Sequence, residues 1–311
     1  MMEALKRILR MIKFEHTLFA LPLAFAGAVV GADGWPGWWN CLFILLAMVG
    51  ARSAAMSFNR LVDLPFDQKN PRTRDREIPA GRLGRGAVWC FLLCSVVLFS
   101  LSALALGRWC FYLSPVALLV ILGYSYTKRF TWACHIFLGL SLAIAPAGGF
   151  LAVTGTVKLP VVVLSLGVLF WVAGFDIIYA CQDVSFDRKM GLCSLPARMG
   201  QGRALMASSL FHLLSFLLFV TAGWMDGLSW PYFVGTAAVG GLLIWEHRIV
   251  SGGELERIDL AFFTINSYVS VLLLAGVVAA TSVAAGRLGC SLNCENRNLT
   301  FQTSKGHSDH S

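Results

Sequence analysis

Residues 159–180 read LPVVVLSLGVLFWVAGFDIIYA, and the next nine read CQDVSFDRK. One residue of the first stretch, Asp176, is charged. As a helix rising about 1.5 Å per residue it is about 33 Å long, the depth of a bilayer's hydrocarbon core, so it reads as a transmembrane span. Eight further apolar runs lie near 17–32, 39–58, 86–106, 109–127, 132–152, 204–224, 231–247 and 260–284. The gaps between them leave no room for a second, soluble core. The expected fold is therefore an all-α integral membrane domain of about nine transmembrane helices over residues 1–285, followed by a polar, disordered tail at 286–311.

Composition agrees, because 57% of the 311 residues are hydrophobic and only 14% are charged, far from the balance of a water-soluble domain of this size. Basic residues test the topology, since Lys and Arg in short loops stay cytosolic. Nineteen fall on the side that holds the amino end and the loops at 59–85, 128–129, 188–203 and 248–257, against five on the other, with Arg52 inside a span. The amino end and those loops are accordingly expected on the cytosolic side of the inner, cytoplasmic membrane. The net charge of +8 follows from this bias and points to no nucleic acid. Nothing in the sequence calls for an obligate protein partner. The nine cysteines form no zinc-type pair and read as small apolar fillers. Cys290, Cys294, His307 and His310 could be drawn as a metal site, but a polar terminus is the simpler account.

Two of the cytosolic loops repeat each other. NRLVDLPFDQKNPRTRDREIPAGRLG begins at Asn59 and YACQDVSFDRKMGLCSLPARMG at Tyr179. Superposition places Asp63, Phe66, Asp67 and Lys69 on Asp183, Phe186, Asp187 and Lys189, and each loop then runs to a Pro-Ala. Each follows an even-numbered span, the second and the sixth, so the chain reads as two related four-helix halves plus one helix. Internal repeats also mark secondary carriers, but carrier sites lie at the bilayer midplane on broken helices, whereas these loops lie at the boundary and repeat in parallel.

A single D-x-x-x-D is commonly just a solvated helix end. Two copies at one membrane surface are different. Aspartates at i and i+4 share a helical face, so each loop presents two carboxylates, with Asn59 and Asp176 extending those faces. Oxygen donors of this kind suit a hard divalent cation, Mg2+ by default. Pro65 falls inside the first motif and disfavours helix at Leu64, so that motif is expected to straddle a helix break. Lys69, Arg72, Arg74 and Arg76 follow the first motif, Lys189 follows the second, and Lys128 and Arg129 come from the intervening cytosolic loop. Metal and basic residues together are what a diphosphate requires. With helices below, the rest of such a ligand is a lipid chain, and a polyprenyl diphosphate fits.

At these residues the chain resembles the UbiA-type intramembrane prenyltransferases, whose signatures are N-x-x-x-D-x-x-x-D and D-x-x-x-D. The resemblance runs from about residue 10 to 285. It includes Arg52, the NPRT-x-x-R-x-[IL]PAGR continuation from Asn70 to Arg82, Tyr124 with Lys128, and Tyr179 to Asp183. FEHTLFALP at 14–22 and Arg60 after Asn59 look most like the 4-hydroxybenzoate polyprenyltransferase branch. The resemblance implies helices around a central cavity, and Mg-dependent transfer of a polyprenyl group from its diphosphate to a hydroxylated aromatic acid in quinone biosynthesis. The acid is most simply 4-hydroxybenzoate, with a naphthoate as the alternative. By position, Asn59, Asp63, Asp67, Asp183 and Asp187 would hold metal. Arg72, Tyr124, Lys128 and Lys189 would bind substrate, and Asp176, Tyr179 and Asp183 would face the reaction. Arg52 would take the acceptor carboxylate, a phosphate or a structural partner. Arg60 removes a carboxylate that the family usually has, which leaves open how the two motifs share the metal.

Overall fold

The computed structural model describes residues 7, 8, 10–12, 17–251 and 264–305. Phe14, Glu15 and His16 of the amino-terminal motif, Lys6, Lys13 and Arg257 of the charge pattern, and His307 and His310 lie outside them. Long helices run α1 Thr17–Ala32, α2 Trp38–Val62, α4 Arg85–Leu106, α5 Arg108–Thr127, α6 Cys134–Thr154, α7 Leu159–Ala180, α10 Gln201–Met225, α11 Trp230–Ser251 and α12 Asn266–Lys305. Short helices α3 Leu64–Asp67, α8 Val184–Met190 and α9 Leu195–Met199 lie between them at one end of the bundle.

Among the described residues, eight helices are long and apolar enough to cross a membrane. The ninth expected span, α1, has 16 described residues and is equally apolar but shorter. The last span ends its apolar stretch at Ala284, while the helix itself continues to Lys305. Residues 286–305 of the expected tail lie in this helix, and no proline follows Pro231 to stop it.

Tight connections make neighbouring helices antiparallel. Gly107 alone joins α4 to α5, at φ 134, a conformation open to glycine and strained for other residues. Exposed Trp35, Trp38, Trp39, Trp109, Tyr112, Trp224 and Trp230 gather at that end of the bundle, and exposed Trp89, Tyr126, Phe130 and Trp132 at the Asp-rich end. Two aromatic belts are what the two faces of a bilayer select.

The repeat is visible in the packing, because α2 packs broadly on α4 and its counterpart α7 packs broadly on α10. The central helix is α7, buried along most of its length and covered by α6 and α10. In lipid, helices associate by close backbone approach at small residues. A Cβ on Gly27 of α1 would lie 1.9 Å from the Pro146 carbonyl oxygen, and one on Gly149 of α6 would lie 1.9 Å from that of Ala24. These reciprocal contacts hold α1 against α6. Gly149→Ala is therefore expected to lower stability by about 1–3 kcal/mol. Gly148→Ala, where a Cβ meets nothing within 4 Å, is expected to be neutral; thermal unfolding in detergent compares the two.

Candidate functional site

One cavity of about 610 Å³ runs between the helices. At the Asp-rich end it is lined by Asn59, Asp63, Asp67, Arg72, Lys128, Asp183 and Asp187, and it continues past Arg52, Tyr124, Asp176 and Tyr179. Apolar side chains then line it as far as Leu106, Cys110 and Val157 at the opposite end. Nearly every site residue expected from the sequence therefore meets in one space.

Lys189 does not. It is exposed and is absent from the cavity wall. Asp187 on the same helix points inward and is fully buried, and two residues at about 100° each turn Lys189 to the opposite side. The alignment of Lys189 with Lys69 was real, but both lysines are solvated.

The two motifs share a distortion. α2 ends at Val62, and Asp63 (φ −84, ψ −2) joins it to α3. Pro65 sits in the first turn of α3, where its missing N–H matters least, and the Asp67 N–H still donates to the Asp63 carbonyl at 2.8 Å. In the second copy a 3₁₀ turn, Cys181–Asp183, separates α7 from α8, and Asp183 (φ −105, ψ 9) is the junction. The chain breaks at the first aspartate of each motif: the break expected from Pro65 falls at Asp63, and the second motif, expected as one helical face, is interrupted at Asp183.

Each aspartate of the motifs is held by nitrogen donors. Arg76 Nη1 spans both oxygens of Asp67 at 2.8 and 2.9 Å, with Arg60 at 4.0 Å. Arg72 forks onto Asp183 through Nε and Nη2 and donates from Nη1 to the Tyr179 hydroxyl at 2.7 Å. Asn70 also donates to Asp183, at 3.2 Å. Lys128 Nζ lies 2.8 Å from Asp187 Oδ1, and Ser194 donates to Oδ2 at 2.8 Å. Asp63 accepts from Asn59 at 2.8 Å, with Arg129 at 3.8 Å.

These arrangements set the charges. Burial, reinforced by Asp67, pushes the Asp63 carboxyl up to about 6. Burial opposes the charge on Arg72 and Lys128, but their contacts with Asp183 and Asp187 outweigh it and raise both above their ordinary values.

Among the described residues no three His, Cys, Asp or Glu side chains converge as a ready-made metal cage. The donor set still suits Mg2+. It is all oxygen, and Asp187 Oδ1 is fully buried with no well-aligned hydrogen bond, only the lysine beside it. Mg2+ is commonly held by one or two carboxylates plus substrate phosphates and water, which is what residues such as Asp183 and Asp187 offer.

Sequence reasoning missed His135 and Ser194. His135 Nδ1 lies 2.6 Å from Asp176 Oδ2. Its one sequence signal is an ionisable residue in the first turn of a span. Ser194 had none.

Comparison with known proteins agrees with this geometry. The model of the UbiA prenyltransferase family matches residues 20–268. A 4-hydroxybenzoate octaprenyltransferase of Tolumonas auensis is 29% identical over 85% of this chain and 89% of its own. The apo structure of a UbiA homolog from Aeropyrum pernix K1 superposes with a TM-score of 0.77 at 32% identity, over 85% of this chain and 98% of that one. A UbiA homolog from Archaeoglobus fulgidus bound to DMAPP and Mg2+ shares the fold, with a TM-score of 0.67 at 20% identity over 89% and 99% of the two chains. A match over most of the length, and a cavity that gathers both Asp-rich loops, make this chain a member of the UbiA prenyltransferase family, an integral-membrane polyprenyltransferase like those that act on 4-hydroxybenzoate.

Proposed function

We propose that the protein transfers a polyprenyl group from its diphosphate to the ring carbon beside the hydroxyl of 4-hydroxybenzoate, in quinone biosynthesis at the cytosolic face of the inner membrane. The observation that carries this reading is the single cavity joining the aspartate and arginine cluster to an apolar bore, with Arg52 between them. The DMAPP and Mg2+ of the A. fulgidus homolog and the names of the curated relatives support it.

The division of labour follows from position. Asp63, Asp67, Asp183, Asp187 and Asn59 are the oxygen donors that would hold Mg2+, and the carboxylates of both motifs also meet Lys or Arg side chains. A Mg2+ held by these residues would supply neutralisation of the charge that grows on the departing diphosphate. Arg72 and Lys128 exchange their aspartates for phosphate oxygens when the donor binds. The C1–O bond breaks with its electron pair passing to the diphosphate. Tyr124 and Tyr179 present aromatic faces to the allylic cation, and the apolar walls of the cavity keep water from it. The ring carbon then bonds to C1, and Asp176 takes the proton that this carbon loses, restoring aromaticity.

Incubating membranes with Mg2+, radiolabelled polyprenyl diphosphate and either 4-hydroxybenzoate or a dihydroxynaphthoate tests the reading. A product with the mass of prenylated 4-hydroxybenzoate is expected. Product from the naphthoate alone would reassign the acceptor, and no covalent product from either would overturn the proposal.

Lys128→Met gives a second check. It leaves the fully buried Asp187 without its cation, so stability is expected to fall by about 3 kcal/mol without metal. Added Mg2+ then raises the melting temperature more in the variant than in wild type, because the metal replaces a missing charge.

A further inference from the structure

His135 opens α6, is 3% exposed and lines the cavity beside Asp176. Its two nitrogens have unlike neighbours. Nε2 lies 3.3 Å from the backbone nitrogen of Leu195, and an amide N–H can only donate, so Nε2 is the lone-pair nitrogen. Protonating it would set two donors face to face. The neutral ring therefore carries its proton on Nδ1 and donates it to Asp176 Oδ2 at 2.6 Å.

The Leu195 amide is itself held by a built turn. Gly191 (φ 67) ends α8, the Leu192 N–H bonds the Asp187 carbonyl at 2.9 Å, and the Cys193 N–H bonds that of Lys128 at 2.7 Å. Ser194, fully buried, donates to Asp187 Oδ2 at 2.8 Å. One five-residue turn thus touches both the aspartate cluster and the histidine that faces Asp176.

Asp67, Asp183 and Asp187 each lie against a Lys or Arg. Asp176 has the ring nitrogen of His135 instead. A carboxylate without a fixed partner also turns broadly about its last torsion. We infer that His135 is a positioning residue for the prenyl transfer: it fixes the Asp176 carboxylate against the cavity, turned toward the ring carbon whose proton it takes. The inference rests on the proposed role of Asp176.

The test uses the full-length protein in detergent, with 4-hydroxybenzoate and its 3,5-dideuterated form as probes. His135→Leu is expected to lower turnover about 10- to 100-fold with the KM for polyprenyl diphosphate unchanged. A deuterium isotope effect should emerge as proton removal becomes slow. His135→Asn, whose amide N–H reaches the place of Nδ1–H, should recover most of the loss and suppress the isotope effect. Equal losses in the two variants with no isotope effect, or a KM that rises in step with the loss, would overturn the inference. Asp176→Asn separates it from the larger reading. Full turnover in that variant overturns both, whereas loss there alongside full turnover in His135→Leu overturns only the positioning role.

Discussion

Replacing Asp183 with asparagine is expected to lower kcat/KM for polyprenyl diphosphate at least about 10³-fold, or about 4 kcal/mol of transition-state stabilisation. The size follows from how many partners converge on one carboxylate. Asp183 receives the Arg72 fork and the Asn70 amide, and through Arg72 it sets the guanidinium against the Tyr179 hydroxyl. Losing its charge would remove one of the proposed metal donors and release the arginine proposed to meet the diphosphate. Asparagine keeps the shape and can still accept from one donor, so the fold should survive and melting in detergent should change little. Asp67→Asn is expected to cost less, because its partners Arg60 and Arg76 are not the cations proposed to meet the diphosphate. Radiolabelled transfer at saturating Mg2+ measures both. Full magnesium-dependent turnover in Asp183→Asn would remove it from the site.

The spans and the repeat were legible because they rest on chain-local physics. A long apolar run such as 159–180, with one charge near its end, has one stable setting in a bilayer, and the Lys and Arg bias fixes which ends share a side. Pro65 announced the break at Asp63 for the same reason: proline's effect on its own helix needs no tertiary information. The equivalent break at Asp183 carries no proline and came from the 3₁₀ turn alone. What could not be read was which way a side chain turns after a break. Lys189 is two residues from Asp187 in a motif that aligns well, yet the helical phase of α8 puts it in solvent. The pairing of His135 with Asp176 joins α6 to α7 across 41 positions, and no local pattern encodes such a register. Arg60 looked like a lost ligand and is better described as a counter-ion of Asp67, a distinction that depends on the fold of the 68–83 loop around it.

Arg52→Ala is expected to raise the KM for 4-hydroxybenzoate about 10- to 100-fold while leaving that for the prenyl diphosphate unchanged, as loss of a charged hydrogen bond worth about 1.5–3 kcal/mol requires. Arg52 lies seven residues before Asn59 on α2, so at about 1.5 Å per residue it sits roughly 10 Å deeper than the first motif. That depth suits an aromatic ring whose far end must meet the prenyl C1 beside the diphosphate. Its Nε is buried and has no hydrogen-bond partner, a costly state for a guanidinium in an apolar wall. The fold gains little from such a residue, so Arg52→Ala should leave the melting temperature unchanged or raise it, as when a binding group is kept at the expense of stability. Acceptor chemistry supplies the discriminating control. 4-Hydroxybenzamide keeps the ring and the hydroxyl but lacks the charge, and wild type and variant should use it equally. A rise in the KM for the diphosphate would make Arg52 a phosphate contact, and a fall in melting temperature with both KM values intact would make it structural. A selective loss of the charged acceptor alone assigns the arginine to the carboxylate, and with it the orientation of the ring: acid group inward, hydroxyl and its neighbouring carbon toward the aspartates.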